Sequence, residues 1–174
     1  MKFHLFSFVV LFATALGSLA EARSSSGVLL TANAFMYNST VEDDSTSSDS
    51  KTAIYDIKLG YLQGNGFYLG GIYTKRDQSG SSDADGSAMG ASIGYFGASG
   101  FFLKGHYLVS AENGNLKEGS GFQGDFGYIS EVSSSVIVGV ELTYRSIEYK
   151  ETNGADSKTK VSELFPMLTV GFVF

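Results

Sequence analysis

The chain has no cysteine, no tryptophan and one proline, Pro166, in 174 residues. Without cysteine there is no disulfide framework, thiolate zinc site, catalytic thiol or lipid anchor on cysteine. Basic residues are few: 12 Lys and Arg stand against 18 Asp and Glu, and the net charge of −6 argues against nucleic acid as a partner. At 43% hydrophobic residues, the chain is too apolar for disorder through low hydrophobicity. Its 22 Gly, 14 Phe and 10 Tyr instead favour an all-β fold.

The N-terminal segment has the three regions of a secretory signal peptide. Lys2 supplies positive charge, residues 5–16 are almost wholly apolar, and Ala20-Glu21-Ala22 matches the cleavage pattern. The apolar run is shorter than the about 20 residues of a spanning helix, which disfavours an uncleaved anchor. We expect a signal peptide over residues 1–22, with a cut after Ala20 as the alternative, and one domain over residues 23–174. Export then leads to a secreted, periplasmic or outer-membrane protein.

The rest of the chain alternates apolar and polar residues with a period of two. In residues 135–145, for example, Val138, Val140 and Leu142 alternate with Gly139 and Glu141. This period is typical of strands with two unlike faces, whereas an amphipathic helix needs spacings of three and four. The pattern predicts eight strands, at residues 28–37, 53–62, 67–76, 87–97, 101–110, 121–130, 135–145 and 164–174.

The connections between these segments alternate in length. Those at residues 63–66, 97–100 and 131–134 are tight, whereas those at residues 38–50, 77–86, 111–119 and 151–157 are longer and polar. An even number of strands with short turns at one end and long loops at the other is typical of a bacterial outer-membrane barrel. We therefore expect an eight-stranded antiparallel up-and-down transmembrane β-barrel with short periplasmic turns and long extracellular loops.

Two features predict that the apolar faces point outward to lipid. The polar faces carry small residues such as Gly90, Ser92 and Gly94, which suit the crowded inside of an eight-stranded barrel. Aromatic residues on the apolar faces cluster near the strand ends, as expected for girdles at the two lipid–water interfaces. We assign Tyr61, Phe67, Tyr95, Phe101, Tyr128 and Phe172 to the girdle at the short-turn end, and Tyr55, Tyr73, Tyr107, Phe122 and Tyr144 to the other.

The last strand carries the most specific resemblance. Val170, Phe172 and Phe174 occupy alternate positions at its end. With the predicted architecture, this strand resembles that of the small eight-stranded outer-membrane β-barrels of Gram-negative bacteria, such as outer membrane protein X and the barrel of outer membrane protein A. The resemblance implies that the assembly machinery of the outer membrane reads these three residues. It also implies a monomer in the outer membrane, in contact with lipid and lipopolysaccharide.

The inward faces also carry charges of both signs. Because charges buried in a narrow barrel persist only when they are paired, we expect a network of ion pairs and a plugged lumen. Counting from the short turns places Asp56, Lys58, Lys104, His106, Asp125 and Glu141 at mid-height, and Arg76, Arg145 and Glu163 nearer the mouth.

Signs of catalysis are weak. His106 is the only histidine of the predicted mature domain, and alternation points both it and Ser110 inward. Four residues of one strand span about 13 Å, which is too far for a serine–histidine hydrogen bond, so a serine partner would have to come from another strand. No spacing matches a phosphate loop, and we predict no catalytic residue, no cofactor site and no metal site.

The acidic residues of the predicted loops do not follow the spacing of a calcium loop, so we interpret them as a solvated surface. They are Glu42, Asp43, Asp44, Asp49, Asp77, Asp83 and Asp85. The sequence thus favours a non-enzymatic outer-membrane protein that acts through surface loops, in adhesion or evasion, or in envelope integrity. A narrow channel or transporter for small solutes is one alternative. A soluble secreted lipocalin-like barrel for an apolar ligand is another.

Overall fold

The computed structural model describes residues 26–43, 46–80 and 85–174, so the predicted signal peptide lies outside the described residues. Each strand pairs antiparallel with the next, and the last returns to the first, which closes the barrel. This confirms the predicted eight-stranded antiparallel up-and-down barrel. The strands are β1 Gly27–Asp43, β2 Thr46–Leu62, β3 Phe67–Gly80, β4 Gly86–Phe96, β5 Phe101–Asn113, β6 Leu116–Glu131, β7 Val136–Thr152 and β8 Ala155–Val173. Among these described residues, no helix has the length and apolar character to cross a membrane.

The register fixes the size and tilt of the barrel. When the paired residues are followed from Leu30 on β1 around the barrel, the seven pairings of neighbouring strands lead to Ser162 on β8. The pairing of β8 with β1, however, places Phe172 opposite Leu30. The difference between positions 172 and 162 is a shear of ten residues. With eight strands, this shear corresponds to a tilt of about 40°, and side chains fill a barrel of this size.

The prediction of long loops is wrong where the structure describes them. β5 and β6 are separated only by Gly114 and Asn115, and β7 and β8 only by Asn153 and Gly154. Both residues of the second turn have positive φ, as a two-residue hairpin turn requires. The polar residues 111–119 and 151–157 therefore belong largely to strands, because polar side chains pair along a solvated hairpin as well as apolar ones do. Likewise β1 extends to Asp43 and β2 begins at Thr46.

The three tight turns lie where the sequence predicts them. The turn after β2 is closed by the amide of Gly66, which donates to the carbonyl of Gln63 at 2.9 Å. The turn after β4 repeats this arrangement with Gly100 and Gly97 at 3.0 Å. Gly66 and Gly100 both have positive φ, which glycine adopts without strain. The third turn joins β6 and β7 through residues 132–135.

The apolar faces point outward and are widely exposed. Leu168 is 69% exposed on β8, Phe122 is 66% exposed on β6, and Leu69 is 60% exposed on β3. In contrast, Asp56 and Asp125 inside the barrel are completely buried. The barrel therefore has the opposite polarity from a soluble protein.

Three layers fill the interior. At the short-turn end lies an apolar cluster that includes Tyr68, Phe96 and Phe102. Two further apolar clusters lie toward the other end, one around Ile72, Leu108, Ile147 and Tyr149, the other formed by Ile54, Phe165 and Met167 with Phe35. Most of the buried polar side chains of the lumen thus lie in the middle layer.

Glycines of the lower layer make room for its large rings. A Cβ on Gly60 would lie 2.6 Å from the ring of Tyr68, and one on Gly70 would lie 2.5 Å from its hydroxyl. A Cβ on Gly127 would lie 2.5 Å from the ring of Phe102. These contacts explain why small residues occupy the inward faces of β2, β3 and β6 at this level.

The pairing of β1 with β8, here called the seam, is the shortest in the barrel. It covers six residue pairs, from Leu29–Val173 to Ala34–Leu168. Val28 and Phe174 exchange both backbone hydrogen bonds, at 3.0 and 2.9 Å, so every second residue of β8 faces β1 with its N–H and carbonyl. By this alternation Pro166 is the next hydrogen-bonding position, and proline has no N–H to donate. Pro166 therefore marks the end of the seam.

Beyond this point, side chains rather than backbone bonds hold β1 and β8 together. The rings of Phe35 and Phe165 stack across the seam with centroids 5.5 Å apart. Just below them, the Nδ2 of Asn33 donates to the Oγ1 of Thr169 at 2.6 Å. The upper part of the barrel wall is thus open in its backbone ladder and closed by apolar contact.

Candidate functional site

The middle layer of the lumen centres on Lys58. Its ammonium donates to Asp125 Oδ2 at 2.6 Å and to Glu141 Oε1 at 2.5 Å, and it lies 3.7 Å from Asp56 Oδ2. Lys58 is 1% exposed, and from β2 it reaches β6 and β7 because the barrel is narrow. Lys104 donates to the other oxygen of Glu141, Oε2, at 3.1 Å. One glutamate thus bridges two lysines.

A second part of the layer forms around Asp56. The Nη2 of Arg145 donates to Asp56 Oδ1 at 3.0 Å, and the Oγ1 of Thr74 donates to the same oxygen at 2.8 Å. Gln123 links the two parts, because its Nε2 donates to Asp56 at 2.9 Å and to Asp125 at 3.0 Å. Its Oε1 accepts from the Nε of Arg145 at 2.7 Å.

The placement of Arg145 differs from its predicted level near the mouth. Its guanidinium joins the mid-height layer through Asp56, and it lies 5.4 Å from the ring of Phe165. Counting along a strand locates the backbone, whereas the long side chain carries the charge down to Asp56. Arg76 and Glu163 pair with each other across the lumen, on the side of the upper clusters.

The charges of the middle layer balance. Asp56, Asp125 and Glu141 are each at most 2% exposed, and the three cations Lys58, Lys104 and Arg145 are each at most 4% exposed. Each charged group has an oppositely charged partner within 3.1 Å. Such a layer is stable only as a whole, since removing one member strands its partner in a buried site.

His106 forms a hydrogen-bonded chain with two neighbours. Its Nδ1 lies 2.6 Å from the Oγ of Ser92 on β4, and its Nε2 lies 2.8 Å from Asp125 Oδ2 on β6. Serine, histidine and aspartate in this order resemble the arrangement used for acyl transfer. However, Ser92 is 2% exposed, and Asp125 is also bound to Lys58 and Thr143. A substrate carbonyl has no access to this serine in the closed barrel.

Ser110 does not point inward, contrary to the sequence interpretation. A register shift lies between Leu108 and Ala111, so that Ser110 is exposed and Ala111 is 1% exposed. Such a β-bulge reverses the alternation beyond it. The serine that does contact His106, Ser92, comes from the neighbouring strand, where it pairs directly with His106 in the register.

A small cavity lies above the middle layer. It has a volume of about 20 Å³ and is lined by Arg76 and Arg145 together with Glu163, Asn113 and Tyr149. The Nε of Arg76 and the Oδ1 of Asn113 are buried without a hydrogen-bond partner. The cavity is large enough for one water molecule, which would satisfy such groups. Tyr149, which lines this cavity, lies on β7 five positions beyond Tyr144, the last outward aromatic residue of that strand. Burial raises the pKa of the Tyr149 phenol.

The predicted girdle residues all lie on the outer face of the barrel. Phe101 and Tyr128 pack edge to face with centroids 5.1 Å apart, and Tyr107 lies 5.1 Å from Phe122. Half of the Tyr144 surface is exposed. The remaining members, Tyr55, Tyr61, Phe67, Tyr73 and Tyr95, are half-buried or exposed along β2, β3 and β4.

The residues of the predicted assembly signal line the outer edge of the last strand. Val170 is 46% exposed, Phe172 is 42% exposed and Phe174 is 74% exposed. The rings of Phe172 and Phe174 stack with centroids 6.4 Å apart. These three side chains are therefore accessible on the outer wall beside the seam.

The acidic residues give no metal site where the structure describes them. No group of three potential metal ligands is found in residues 26–43, 46–80 and 85–174. Asp77 and Asp85 lie 3.2 and 3.9 Å from the Nζ of Lys75. Asp44 and Asp83 lie outside the described residues, and the side chains of Glu42, Asp43 and Asp49 are not described.

Comparisons with known proteins give little beyond the fold. No protein-family model matches the chain, and no curated protein matches it. Among solved structures, the chain is similar to one titled outer-membrane expressed OmpT of Vibrio cholerae, at 14% identity and a TM-score of 0.33. The match covers 84% of this chain and 51% of that one, so the chain spans about half its length. At this level of similarity, the match does not assign a function.

Several functional side chains were missed by sequence reasoning. Thr74, Ser92, Gln123 and Thr143 complete the hydrogen bonds of the middle layer. A signal was available for Thr74, Gln123 and Thr143, because each lies on an inward face next to a predicted charge, whereas Ser92 lies between Gly90 and Gly94 on its face. Only the register, however, shows which neighbour each one contacts.

Proposed function

We propose that this protein is a non-enzymatic barrel of the bacterial outer membrane, with a sealed lumen and its active surface on the outside. The observation that carries this proposal is the polarity of the wall. Large apolar side chains such as Leu168 and Met36 are more than two-thirds exposed, whereas Lys58 and Asp125 are buried. In water such a surface is an aggregation hazard, but in lipid it is the favourable arrangement.

A closed barrel also suits this environment because its backbone groups pair within the wall, apart from those of β1 and β8 beyond the seam. The predicted signal peptide, the predicted aromatic girdles and Phe174 support the same location, as does the resemblance of the sequence to outer membrane protein X and the barrel of outer membrane protein A. In this proposal the wall contacts lipid and lipopolysaccharide, and the assembly machinery reads the last strand. The extended hairpins at the far end present the surface for adhesion, evasion or envelope stabilisation.

The lumen argues against the two alternatives. A channel needs a continuous water-filled path, but the short-turn end is filled by Tyr68, Phe96 and Phe102, each at most 2% exposed. A lipocalin-like protein needs an apolar interior for its ligand, but the middle of this lumen holds six paired charges. We therefore expect no steady conductance in planar bilayers.

The test compares the same substitution at two exposed valines. Val140 is 55% exposed and lies midway along the outward row of β7, whereas Val132 is 65% exposed in a short turn. In a membrane, Val140→Lys should cost about 2–4 kcal/mol, because it places an ammonium at the bilayer midplane, whereas Val132→Lys should cost under about 0.5 kcal/mol. Folding is measured in vesicles by the shift between unboiled and boiled samples on SDS gels.

Equal tolerance of the two lysines, together with recovery in the soluble fraction, would contradict the membrane proposal and favour a soluble barrel. A stable, ion-selective pore in the unmodified protein would contradict the sealed lumen and favour the channel.

A further inference from the structure

His106 is the one side chain beyond residues 1–22 that ordinarily changes its charge between about pH 5.5 and 7.5. The chain has two histidines, and the other, His4, lies in the predicted signal peptide. Cysteine, which titrates close to this range, is absent. Carboxylates in water titrate below about pH 4.5 and lysines at about pH 10. A side-chain charge change of the predicted mature chain in this range is therefore centred on His106.

The contacts of the two ring nitrogens of His106 fit a neutral imidazole. Nε2 lies 2.8 Å from Asp125 Oδ2, and because the oxygen of an ionised carboxylate only accepts, Nε2 carries the proton. Nδ1 lies 2.6 Å from the Oγ of Ser92, whose hydroxyl can donate to it. The imidazole with its single proton on Nε2 thus satisfies both contacts.

The charges of the middle layer balance without His106. Three carboxylates and three cations belong to this layer, and each has an oppositely charged partner within 3.1 Å. They are Asp56 and Lys58 on β2, Lys104 on β5, Asp125 on β6, and Glu141 and Arg145 on β7. The buried polar residues of the other four strands are uncharged, and they are Thr31, Asn33, Thr74, Ser92 and Thr169. An imidazolium would therefore be a fourth cation among three carboxylates, in a layer whose charged members are at most 4% exposed.

The titratable groups above and below the layer supply no further carboxylate to His106. Arg76 and Glu163 pair with each other on the side of the upper clusters. Tyr68 belongs to the apolar cluster at the short-turn end, and a phenol is neutral throughout this pH range. The charge balance around His106 thus depends on the middle layer itself.

A second proton on His106 would disrupt the contacts on both sides of the ring. It would bind at Nδ1, and Ser92 would then have to accept instead of donate, which leaves the hydroxyl proton of Ser92 without its present acceptor. On the other side, Asp125 Oδ2 already accepts from the ammonium of Lys58 at 2.6 Å, and Lys104 lies 3.8 Å from the same oxygen. The carboxylate beside His106 is thus already neutralised, and the closed layer has no counter-charge for an imidazolium.

We propose that His106 is an acid-sensitive lock of the barrel: the middle layer closes around the neutral imidazole, and proton binding at Nδ1 and the closed barrel exclude each other. In the unfolded chain the imidazole is in water and titrates with its ordinary pKa of about 6.5. Because only the unfolded chain then binds this proton, acid favours unfolding, and stability falls as the pH drops below about 6.5. The inference rests on the sealed lumen of the proposed function and not on the membrane around it.

The experiment is a urea titration of the folded protein in detergent micelles at about pH 7.5 and about pH 5.5, followed by tyrosine fluorescence and the gel shift. The equilibrium constant for unfolding should rise about tenfold at the lower pH, the factor for one proton bound by the unfolded chain alone. In His106→Gln it should change by less than about twofold, because the amide can donate to Asp125 and accept from Ser92 but does not titrate. The matched control combines His106→Gln with Ser110→His, which moves the histidine to an exposed position of the same strand and should also change the constant by less than about twofold.

A second readout needs no variant. Nitrogen NMR shifts of His106 in the folded protein should show a neutral imidazole with its proton on Nε2 at both pH values, and an imidazolium in the folded barrel at the lower pH would overturn the proposal. An unfolding constant of the unmodified protein that changes by less than about twofold would also overturn it, as would a tenfold change that persists in His106→Gln. The membrane proposal fails separately: a barrel that stays soluble without detergent contradicts the membrane location, and the same acid effect in that barrel would still support the lock.

Discussion

Neutralising one member of the middle layer should destabilise the barrel far more than neutralising a surface charge. Glu141 is 2% exposed and bridges Lys58 and Lys104 at 2.5 and 3.1 Å. Glu141→Gln keeps the volume but leaves three buried cations with two carboxylates. The nearest remaining carboxylate oxygen to Lys104 is then that of Asp125 at 3.8 Å.

The magnitude follows from the cost of stranding a buried charge. Breaking a buried pair typically costs about 3–5 kcal/mol, and we expect Glu141→Gln to lower the free energy of unfolding by about that amount. Lys104→Met should cost a similar amount, since it leaves Glu141 with Lys58 alone. In the double variant the charges balance again, so it should be about 2–3 kcal/mol less destabilised than the sum of the two singles.

The assay is a urea titration of the protein folded into vesicles. Unfolding is followed by the fluorescence of its ten tyrosines, since the chain has no tryptophan, and by the gel shift. Glu148→Gln and Lys150→Met are the matched controls, because both residues are exposed on β7, and each should change stability by less than about 0.5 kcal/mol. A cost under about 1 kcal/mol for Glu141→Gln would refute the reasoning and indicate hydrated, independent charges.

Three further predictions address the seam, the buried serine and the last residue. Pro166→Leu supplies an N–H that can donate to the carbonyl of Met36, which should extend the seam and draw the Met36 N–H onto the carbonyl of residue 166, slowing amide exchange at Met36 by about fivefold; unchanged exchange would show that Pro166 does not end the ladder. Ser92 should resist fluorophosphonate labelling in the folded protein because it is 2% exposed, and labelling that disappears in Ser92→Ala would instead reveal an enzyme. Phe174→Ala should lower the amount of inserted protein in cells but leave refolding into detergent nearly unchanged, and an equal loss in both would mean that Phe174 contributes only to stability.

The strands and their faces could be predicted because alternation is local. In β7, Val138, Val140 and Leu142 point outward while Glu141 is buried, as the period of two requires. The two-residue hairpin turn at Asn153-Gly154 was also predictable, because an Asn-Gly pair favours such a turn even within a polar segment. The polar composition of the flanking residues led instead to the prediction of a loop. Polar residues were interpreted as loop where they form solvated strand.

The partners within the lumen could not be predicted because they depend on register and side-chain reach. Alternation gave Ser110 as inward, but the bulge after Leu108 turned it outward. The contact between Ser92 and His106 follows from their direct pairing between β4 and β5, and a register shift of one residue would abolish it. The sequence pattern predicts neither the bulge nor this residue pair.

The short seam has a consequence for how the barrel forms. All other strand pairs join neighbours in sequence, and the β7–β8 hairpin needs only a two-residue turn. Closing the ring brings together segments that are far apart in the chain, as Asn33 and Thr169 are, and only six residue pairs of backbone ladder, with a few side-chain contacts, oppose the entropy cost of that encounter. Ring closure should therefore be the last and most easily reversed event in assembly. A chain caught before it would be a curved sheet whose free edges, β1 and β8, invite pairing with another strand.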